Sequence, residues 1–304
     1  MEGIIKVGSK KRKIVAEIQK IIGVKIDGTF GPLTERALIG WQSEHNLVAD
    51  GIVNPATMIA MGILDTDEIT ADFAPIFRTP NGLIVERHYL PKDQYIEYSE
   101  PVINEYIMLH HTAGNSNPFK TIDHWGRDSR GKVATEFVLG GQTMKNGKDK
   151  HDGTMVQAFP EGCQGWHLGN TGSRYMNKHS VGLEINSFGY LDDEFKNYVG
   201  MLADPTQVVT LNEPFRGKKH WHKYSDKQIE ATRKWINWIA ERDSIDIMEG
   251  LIKWIREEGP TKAFGFHQKA YEGKVKGLLT HTNVRKDKMD CFPQQEFVDM
   301  LLSI

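Results

Sequence analysis

The sequence predicts two domains, a small all-α three-helix bundle followed by an α/β domain with a central mixed sheet flanked by helices. Apolar residues recur at helical spacing between residues 10 and 64, which favours the bundle. Short apolar runs alternate with helical segments from about residue 100, which favours a sheet covered by helices. At 304 residues and 39% hydrophobic content, the chain is long enough to bury a core in each domain.

Composition excludes several classes of function. A formal net charge of −2 gives no attraction to nucleic acid, and no apolar run approaches the roughly 18–20 residues that span a bilayer. The N-terminus lacks the apolar core of a signal peptide, and two cysteines make no disulfide framework. We therefore expect a monomer made in the cytoplasm, without membrane insertion, that needs another release route to act outside the membrane.

The N-terminal helices are separated by two similar turns. Ile14, Val15 and Ile18 begin an apolar stripe that stops at Gly23, and a third short helix is expected to reach Leu64. The pattern Asp-Gly-x-x-x-Pro-x-Thr starts at Asp27 and again at Asp50, 23 residues later. Asp-Gly favours a tight turn and Pro the start of a helix, so well-built turns explain this repeat without a ligand.

The run from Gly23 to Gln42 also resembles the peptidoglycan-binding helical-bundle domain that is attached to many cell-wall hydrolases. The resemblance rests on Asp27-Gly28, Phe30, Thr34 and Trp41 at the spacing of that motif, and it covers about residues 10–65. It implies that residues 1–65 bind bacterial cell wall, with Asp27, Phe30 and Trp41 near the binding groove. The residues alone leave open which of them touch the ligand and which hold the turn.

Residues 66–98 are predicted to be a linker that leads into peripheral strands, and residues 99–304 to be the second domain. A helix is expected near residues 120–127. Residues 190–262 interrupt the alternation, and Ser225 caps an amphipathic segment, so we predict a helical insertion there. The predicted strands of the second domain are 106–109, 135–139, 155–159, 180–185 and 275–279.

Two of these strands end in histidine. His110 and His111 follow Tyr106–Leu109, and His281 follows the run from Val275 to Leu279. A His-His pair often serves only as a hydrogen-bonded strand end. Two strand-end histidines with a nearby carboxylate or thiolate, however, suit a catalytic zinc site with three protein ligands and one open position.

Several segments of the second domain resemble the zinc N-acetylmuramoyl-L-alanine amidases of the phage-lysozyme and peptidoglycan-recognition type. They are Leu109-His110-His111-Thr-Ala, Gly165-Trp166-His167-Leu-Gly169, Asn177-x-x-Ser180-Val-Gly-Leu-Glu184 and His281-x-Asn-Val with Lys288-x-Asp290. The resemblance implies Zn²⁺ held by His110 and His281. The family places a Lys two residues before an Asp or Cys ligand, which favours Asp290, with the adjacent Cys291 as the alternative.

The same resemblance assigns the other roles. Zinc would activate water and polarise the scissile carbonyl, Glu184 would be the general acid/base, and Lys288 would stabilise the developing oxyanion. Trp166 and His167 suit substrate binding by stacking and hydrogen bonding. Many relatives carry Tyr or His near residue 135; here Glu136 is expected to share the acid/base role or to line the site.

Together these features predict a modular peptidoglycan hydrolase that cuts the amide between N-acetylmuramic acid and L-alanine, as a phage endolysin would after release through the membrane. A prophage-encoded or specially secreted lysin fits equally well. Two rivals stay open: a non-catalytic peptidoglycan-recognition protein, and a zinc hydrolase that cuts another amide of the stem peptide. The presence of His110, His281, Asp290 and Glu184 together argues against the first.

Overall fold

The computed structural model describes residues 12–45, 47–53, 55–63, 76–169 and 174–304. The chain separates into two compact units, residues 1–77 and 78–304. The predicted end of the third helix at Leu64 and the linker prediction for residues 66–75 lie outside the described residues.

The N-terminal unit contains three helices, α1 (Arg12–Ile21), α2 (Pro32–Glu44) and α3 (Pro55–Ala60). Gly23 takes a positive φ of 72° two residues after α1, and Pro32 opens α2, as the sequence predicts. One apolar cluster holds the helices together; its buried members are Val15, Ile18, Phe30, Leu38, Val53, Met58 and Met61.

Two buried glutamines explain the repeated turn. The Gln19 amide donates to Asp27 Oδ1, Thr29 O and Thr34 Oγ1, and its oxygen accepts from the Gly28 amide. The second turn repeats this network, with Gln42 donating to Asp50 Oδ1, Ile52 O and Thr57 Oγ1 and accepting from Gly51 N. In each Asp-Gly turn, a glutamine side chain of the preceding helix therefore hydrogen-bonds backbone amide and carbonyl groups of the turn.

A mixed sheet of seven strands forms the centre of the second unit, in the order β1-β2-β5-β4-β6-β3-β10. The β4–β5 pair is antiparallel, whereas β3 pairs in parallel with both β6 and β10. In chain order the strands are β1 (Ile76–Arg78), β2 (Ile84–Arg87), β3 (Tyr106–His111), β4 (Phe137–Leu139), β5 (Met155–Gln157), β6 (Ser180–Ile185), β7 (Tyr190–Leu191), β8 (Val208–Phe215), β9 (Lys218–His222) and β10 (Gly277–Thr280).

Helices cover this sheet, and α6 contacts both β3 and β4. Ser225 and Gln228 form a reciprocal capping box at the start of α6, and Trp235 and Ile236 are among its fully buried residues. The helices are α4 (Pro118–Trp125), α5 (Arg174–Lys178), α6 (Asp226–Asp243), α7 (Leu251–Glu258), α8 (Pro260–Ala263), α9 (Gln268–Tyr271), α10 (His281–Val284) and α11 (Gln295–Leu302).

The predicted helical insertion at about 190–262 is wrong in its first half. Residues 190–222 form a separate antiparallel sheet, β7-β9-β8, and helix begins only with α6. The hairpin between β8 and β9 turns at Arg216 and Gly217, which both have positive φ, as a tight two-residue hairpin requires. The Arg216-Gly217 pair is the overlooked hairpin signal in this sequence. The limits predicted for the insertion, residues 190 and 262, stay a prediction.

The predicted fold class is confirmed: a helical unit precedes an α/β unit with a central mixed sheet. Within the described residues, no helix combines the length and the apolar character needed to cross a membrane.

The buried glutamines lead to a first prediction. Gln19→Leu leaves the Asp27 and Thr34 side chains and the Gly28 amide without their partner, so it should destabilise the N-terminal unit by about 2–4 kcal/mol. Hydrogen exchange of the full chain should then show faster exchange in residues 12–63 and no change in residues 78–304. Glu17→Gln, exposed on the same helix, is the control; equal exchange in both variants would contradict the structural role of Gln19.

Candidate active site

Three ionisable side chains meet at the carboxyl end of the central strands. His110 lies near the end of β3, His281 begins α10 directly after β10, and Asp290 follows α10. The two histidine Nδ1 atoms are 3.0 Å apart, and Asp290 Oδ2 lies 3.0 Å from His281 Nδ1 and 3.5 Å from His110 Nδ1. All three residues are buried, so parallel strand pairing brings together ligands that are far apart in sequence.

This triangle fits a zinc ion. Zinc bonds to histidine nitrogen and carboxylate oxygen of about 2.0–2.2 Å place tetrahedral ligand atoms about 3.3 Å from each other. The observed separations of 3.0–3.5 Å match that spacing. The same three residues line an open cleft of about 500 Å³. Three protein donors beside an accessible face are the arrangement of catalytic rather than structural zinc sites.

Cys291, the alternative third ligand, does not join the cluster. Its buried thiol is hydrogen-bonded to Tyr224. Burial, reinforced by the nearby Asp290 charge, raises the pKa of Cys291 well above its usual value, which favours the thiol over the thiolate that metals bind. The structure thus brings Asp290, and not Cys291, to His110 and His281.

Asp290 stays ionised in this cluster. Burial by itself would raise the pKa of Asp290, but the adjoining His281 and His110 outweigh burial and hold that pKa well below its usual range. Burial also lowers the pKa of His110 to about 4, so its imidazole is neutral at physiological pH. A neutral imidazole and a carboxylate are the forms that bind a metal ion.

A chain of hydrogen bonds fixes the orientation of His110. Ser180 Oγ donates to Met176 O at 2.6 Å and so accepts from His167 Nε2 at 2.8 Å. His167 Nδ1 must then accept from His110 Nε2 at 2.9 Å, which leaves the His110 Nδ1 lone pair facing His281 and Asp290. Outer partners of this kind set the tautomer of metal-binding histidines. His167 therefore lies at the site, in contact with His110 and at the cleft surface.

Glu184 and Lys288 both line the cleft beside the three-residue cluster. Glu184 is the register partner of His110 across the parallel β3–β6 pair. Burial raises the pKa of Glu184 well above its usual value; the Asp290 charge adds to this effect and Lys288 opposes it. A buried carboxyl group with a raised pKa is suited to exchange a proton with a substrate as a general acid or base.

Two residues predicted to bind substrate in this unit lie elsewhere. Glu136 is buried, accepts a hydrogen bond from Gln157 and lies 3.7 Å from the Arg242 guanidinium on α6. The cleft lining includes the preceding residue, Thr135, but not Glu136, whose carboxylate faces Arg242 instead. Trp166 is also absent from the cleft lining.

In the N-terminal unit, Phe30 is a core residue with 2% of its surface exposed, so the prediction that it contacts ligand is wrong. Asp27 accepts hydrogen bonds from Gln19 and from the Thr29 amide, and so holds the turn. Trp41 is half-buried and stacks on the exposed His45 ring at 3.8 Å. The ring pair is therefore partly exposed on the surface of this unit.

Sequence reasoning missed several residues of the cleft. His111 lines it, but its Nδ1 is 2.7 Å from the Tyr224 hydroxyl, which explains why the second histidine of the pair stands outside the metal cluster. Tyr190 and Tyr198 also line the cleft. They lie in residues 190–222, where the sequence shows no motif of candidate site residues.

Arg216, at the tip of the β8–β9 hairpin, secures the loop that connects His281 to Asp290. Its guanidinium donates to the carbonyls of Lys286, Arg285 and Thr282 at 2.6, 3.2 and 3.3 Å. Arg285 in turn donates to Leu168 O at 2.7 Å, beside His167. The additional sheet thereby holds the loop that carries Lys288 and Asp290.

Two histidines and an aspartate at one edge of a cleft are a donor set that metal-dependent hydrolases use. Residues 99–276 match the family described as N-acetylmuramoyl-L-alanine amidase, and residues 17–61 match a putative peptidoglycan binding domain. The first match covers more than half of the chain, which therefore belongs to the N-acetylmuramoyl-L-alanine amidase family. No curated protein matches.

Several solved structures are similar to this chain at low identity. The catalytic domain of XlyA is 12% identical, with a TM-score of 0.38, over 68% of this chain and 89% of that one. The amidase LysC from Clostridium intestinale URNW is 15% identical, with a TM-score of 0.35, over 71% and 97% of the two chains. AmiD from E. coli, solved with a muramyl peptide, is 17% identical, with a TM-score of 0.31, over 51% and 55%.

The family matches confirm the predicted enzyme class, an amidase, and the predicted peptidoglycan-binding module before it. They also support peptidoglycan as the partner of the chain.

Glu136 leads to a prediction on pH. Burial, partly offset by Arg242, raises its pKa from 4.5 to about 7, so the folded protein keeps a proton that the unfolded chain releases near pH 4.5. Raising the pH through this window therefore destabilises the fold. Urea unfolding should show Glu136→Gln gaining about 2–3 kcal/mol over wild type between pH 5 and pH 8.

The control for this measurement is Glu161→Gln, because Glu161 also lies near Arg242 but is exposed. It should follow wild type at both pH values. A Glu136→Gln variant with the same pH dependence as wild type would show that the carboxyl is ionised throughout.

Proposed function

We propose that this protein is a zinc-dependent amidase that hydrolyses the bond between N-acetylmuramic acid and the L-alanine of the stem peptide. The observation that carries the proposal is the buried triangle of His110, His281 and Asp290 at a cleft that also presents Glu184 and Lys288. Family membership supports the amide bond, and the donor set supports zinc.

His110, His281 and Asp290 would hold the ion. Zinc bound there would polarise the scissile carbonyl and lower the pKa of water toward about 7. His167 and Ser180 keep the His110 ring in the tautomer whose Nδ1 is free to bind.

Glu184 takes the proton from the attacking water and returns it to the leaving nitrogen of L-alanine. Burial raises the pKa of Glu184, and a higher pKa makes its carboxylate a stronger base toward the attacking water. Lys288, on the loop between His281 and Asp290, supplies a positive charge toward the oxyanion that develops on the scissile carbonyl.

We further propose that the N-terminal unit anchors the enzyme to the wall through the exposed Trp41–His45 ring pair, and that the chain works as a monomeric phage endolysin. The proposed domains are residues 1–65 for wall binding, 66–98 for the linker and peripheral strands, and 99–304 for catalysis. The two family matches in one chain support this modular arrangement. The release route can be tested in cells that express the chain. We expect these cells to lyse only when a membrane-permeabilising protein is also present.

A digest of purified peptidoglycan tests the reaction. Wild type should release new L-alanine N-termini without new reducing sugar ends, and the release should stop with a chelator and return with zinc. His110→Ala should lose the activity together with zinc binding. Glu184→Gln should keep zinc and lose at least about 100-fold in rate, because only proton transfer is removed.

Three other outcomes of the digest would each contradict one part of the proposal. N-termini of an amino acid other than alanine would move the scissile bond into the stem peptide. Wall binding without new ends of either kind would contradict the enzyme and leave a recognition protein. Activity that persists in chelator would contradict the role of zinc.

Arg216 provides a separate test of the metal site. Arg216→Ala removes three hydrogen bonds from the loop between His281 and Asp290, so zinc affinity should fall by about tenfold or more. A competition titration with a chromophoric chelator measures this directly. Lys219→Ala, exposed on the same hairpin, should bind zinc like wild type; equal affinity in the two variants would exclude a positioning role for Arg216.

A further inference from the structure

The segment between β7 and β8 forms a rigid loop at the edge of the cleft. Asp192 Oδ1 accepts from the amides of Glu194 and Lys196, and the buried Asn197 side chain accepts from the amides of Val199 and Met201. Backbone bonds such as Ala203 N to Phe195 O close the loop. A core of four buried residues, Met144, Phe188, Leu191 and Ala203, supports it from below.

This loop exposes apolar side chains instead of burying them. Tyr198 is 64% exposed, Val199 63% and Leu202 58%, and Met201 is exposed beside them. A contiguous group of exposed apolar side chains on an otherwise well-bonded loop indicates a contact surface, because isolated exposed residues occur everywhere but groups do not. We call residues 198–202 the apolar tip.

The apolar tip is continuous with the cleft. Tyr198 belongs to both, and Tyr190 at the start of the same segment lines the cleft as well. Lys288, which we place at the developing oxyanion, lines this cleft too. Tyr190 and Tyr198 are therefore accessible to a substrate that is held at His110 and His281 and extends along this cleft.

The charged residues near the apolar tip indicate which part of peptidoglycan can bind there. Asp192, Asp193 and Glu194 are exposed beside the tip, and Lys196 is paired with Glu194. At the apolar tip these carboxylates disfavour the carboxylates of a stem peptide and the headgroups of an anionic membrane, whereas the cations Lys288 and Arg130 lie on the cleft lining. Uncharged sugar rings with an apolar face and hydroxyls match the faces and hydroxyl groups of tyrosine rings.

We propose that the apolar tip and Tyr190 bind the glycan strand of peptidoglycan, at sugar rings beyond the muramic acid that carries the scissile amide. This subsite rests on the proposed amidase function. It makes the enzyme prefer long glycan strands to short muramyl peptides, and Tyr198 is its specificity-determining residue.

Kinetics of the zinc-loaded full chain test the subsite. Two substrates carry the same stem peptide, one on a single muramic acid and one on uncross-linked glycan strands of several disaccharides. Tyr198→Ala should raise KM about five-fold for the strands, without changing kcat, and leave KM for the single sugar unchanged. Tyr198→Phe should restore most of the loss, and Tyr271→Ala, an exposed tyrosine on α9 outside the cleft lining, should match wild type.

A second measurement does not depend on catalysis. Chelator-treated full chain is mixed with peptide-free glycan strands, and hydrogen exchange is followed in residues 192–203. Protection there in wild type, lost in Tyr198→Ala, supports the subsite even if no L-alanine termini are ever released and the amidase proposal fails. Equal KM changes for both substrates, no protection by glycan, or protection by anionic phospholipid vesicles instead would each overturn the proposal.

Discussion

The site depends on the in-register parallel pairing of β3 with its two neighbours. Six consecutive residues of β3 pair with β6, which sets His110 beside Glu184, and β10 pairs so that His281 follows directly after Thr280, the partner of Leu109. All six residues of β3 are buried. Because side chains alternate between faces, a slip of one residue would turn His110 away from His281 and dismantle the cluster. The buried apolar residues of β3 fix the strand register, and that register determines where His110 lies.

Burial of the cluster costs hydration free energy, and hydrogen bonds from surrounding residues offset this loss. Ionised and imidazole groups lose hydration in the interior, and each therefore needs a partner. Asp290 has the two histidines, His110 has His167 and Ser180, and His111 has Tyr224. His281 Nε2 is buried without a hydrogen-bond partner among the described residues. The network specifies one orientation for His110 and leaves its free lone pair where a cation would be stabilised by Asp290.

The sequence predicts well what local pattern or a long motif determines. The strand ends at His110 and His281, the capping box of α6 and the Asp-Gly turns all follow from spacing and residue type. It fails where tertiary context decides. Phe30 lies in a motif for wall binding but fills a core, and Glu136 is adjacent to a cleft residue but is buried against Arg242 of α6. The helical prediction for residues 190–222 fails because their one hairpin signal, the Arg216-Gly217 pair, is short and precedes strongly helical sequence.

The additional sheet β7-β9-β8 contacts two parts of the site, the loop that carries Asp290 and the side of the cleft lined by tyrosines. At the tip of its β8–β9 hairpin Arg216 fixes the carbonyls of the loop that carries Lys288 and Asp290, and at the other side Tyr190 and Tyr198 face the same cleft. Tyr190 pairs with Trp221 of β9 across the sheet, and Trp221 stacks on Phe292, two residues after Asp290. A ligand that orders the tyrosines therefore acts on strands that also support the third metal donor. One small sheet thus contacts both the loop that carries Asp290 and the tyrosines of the cleft.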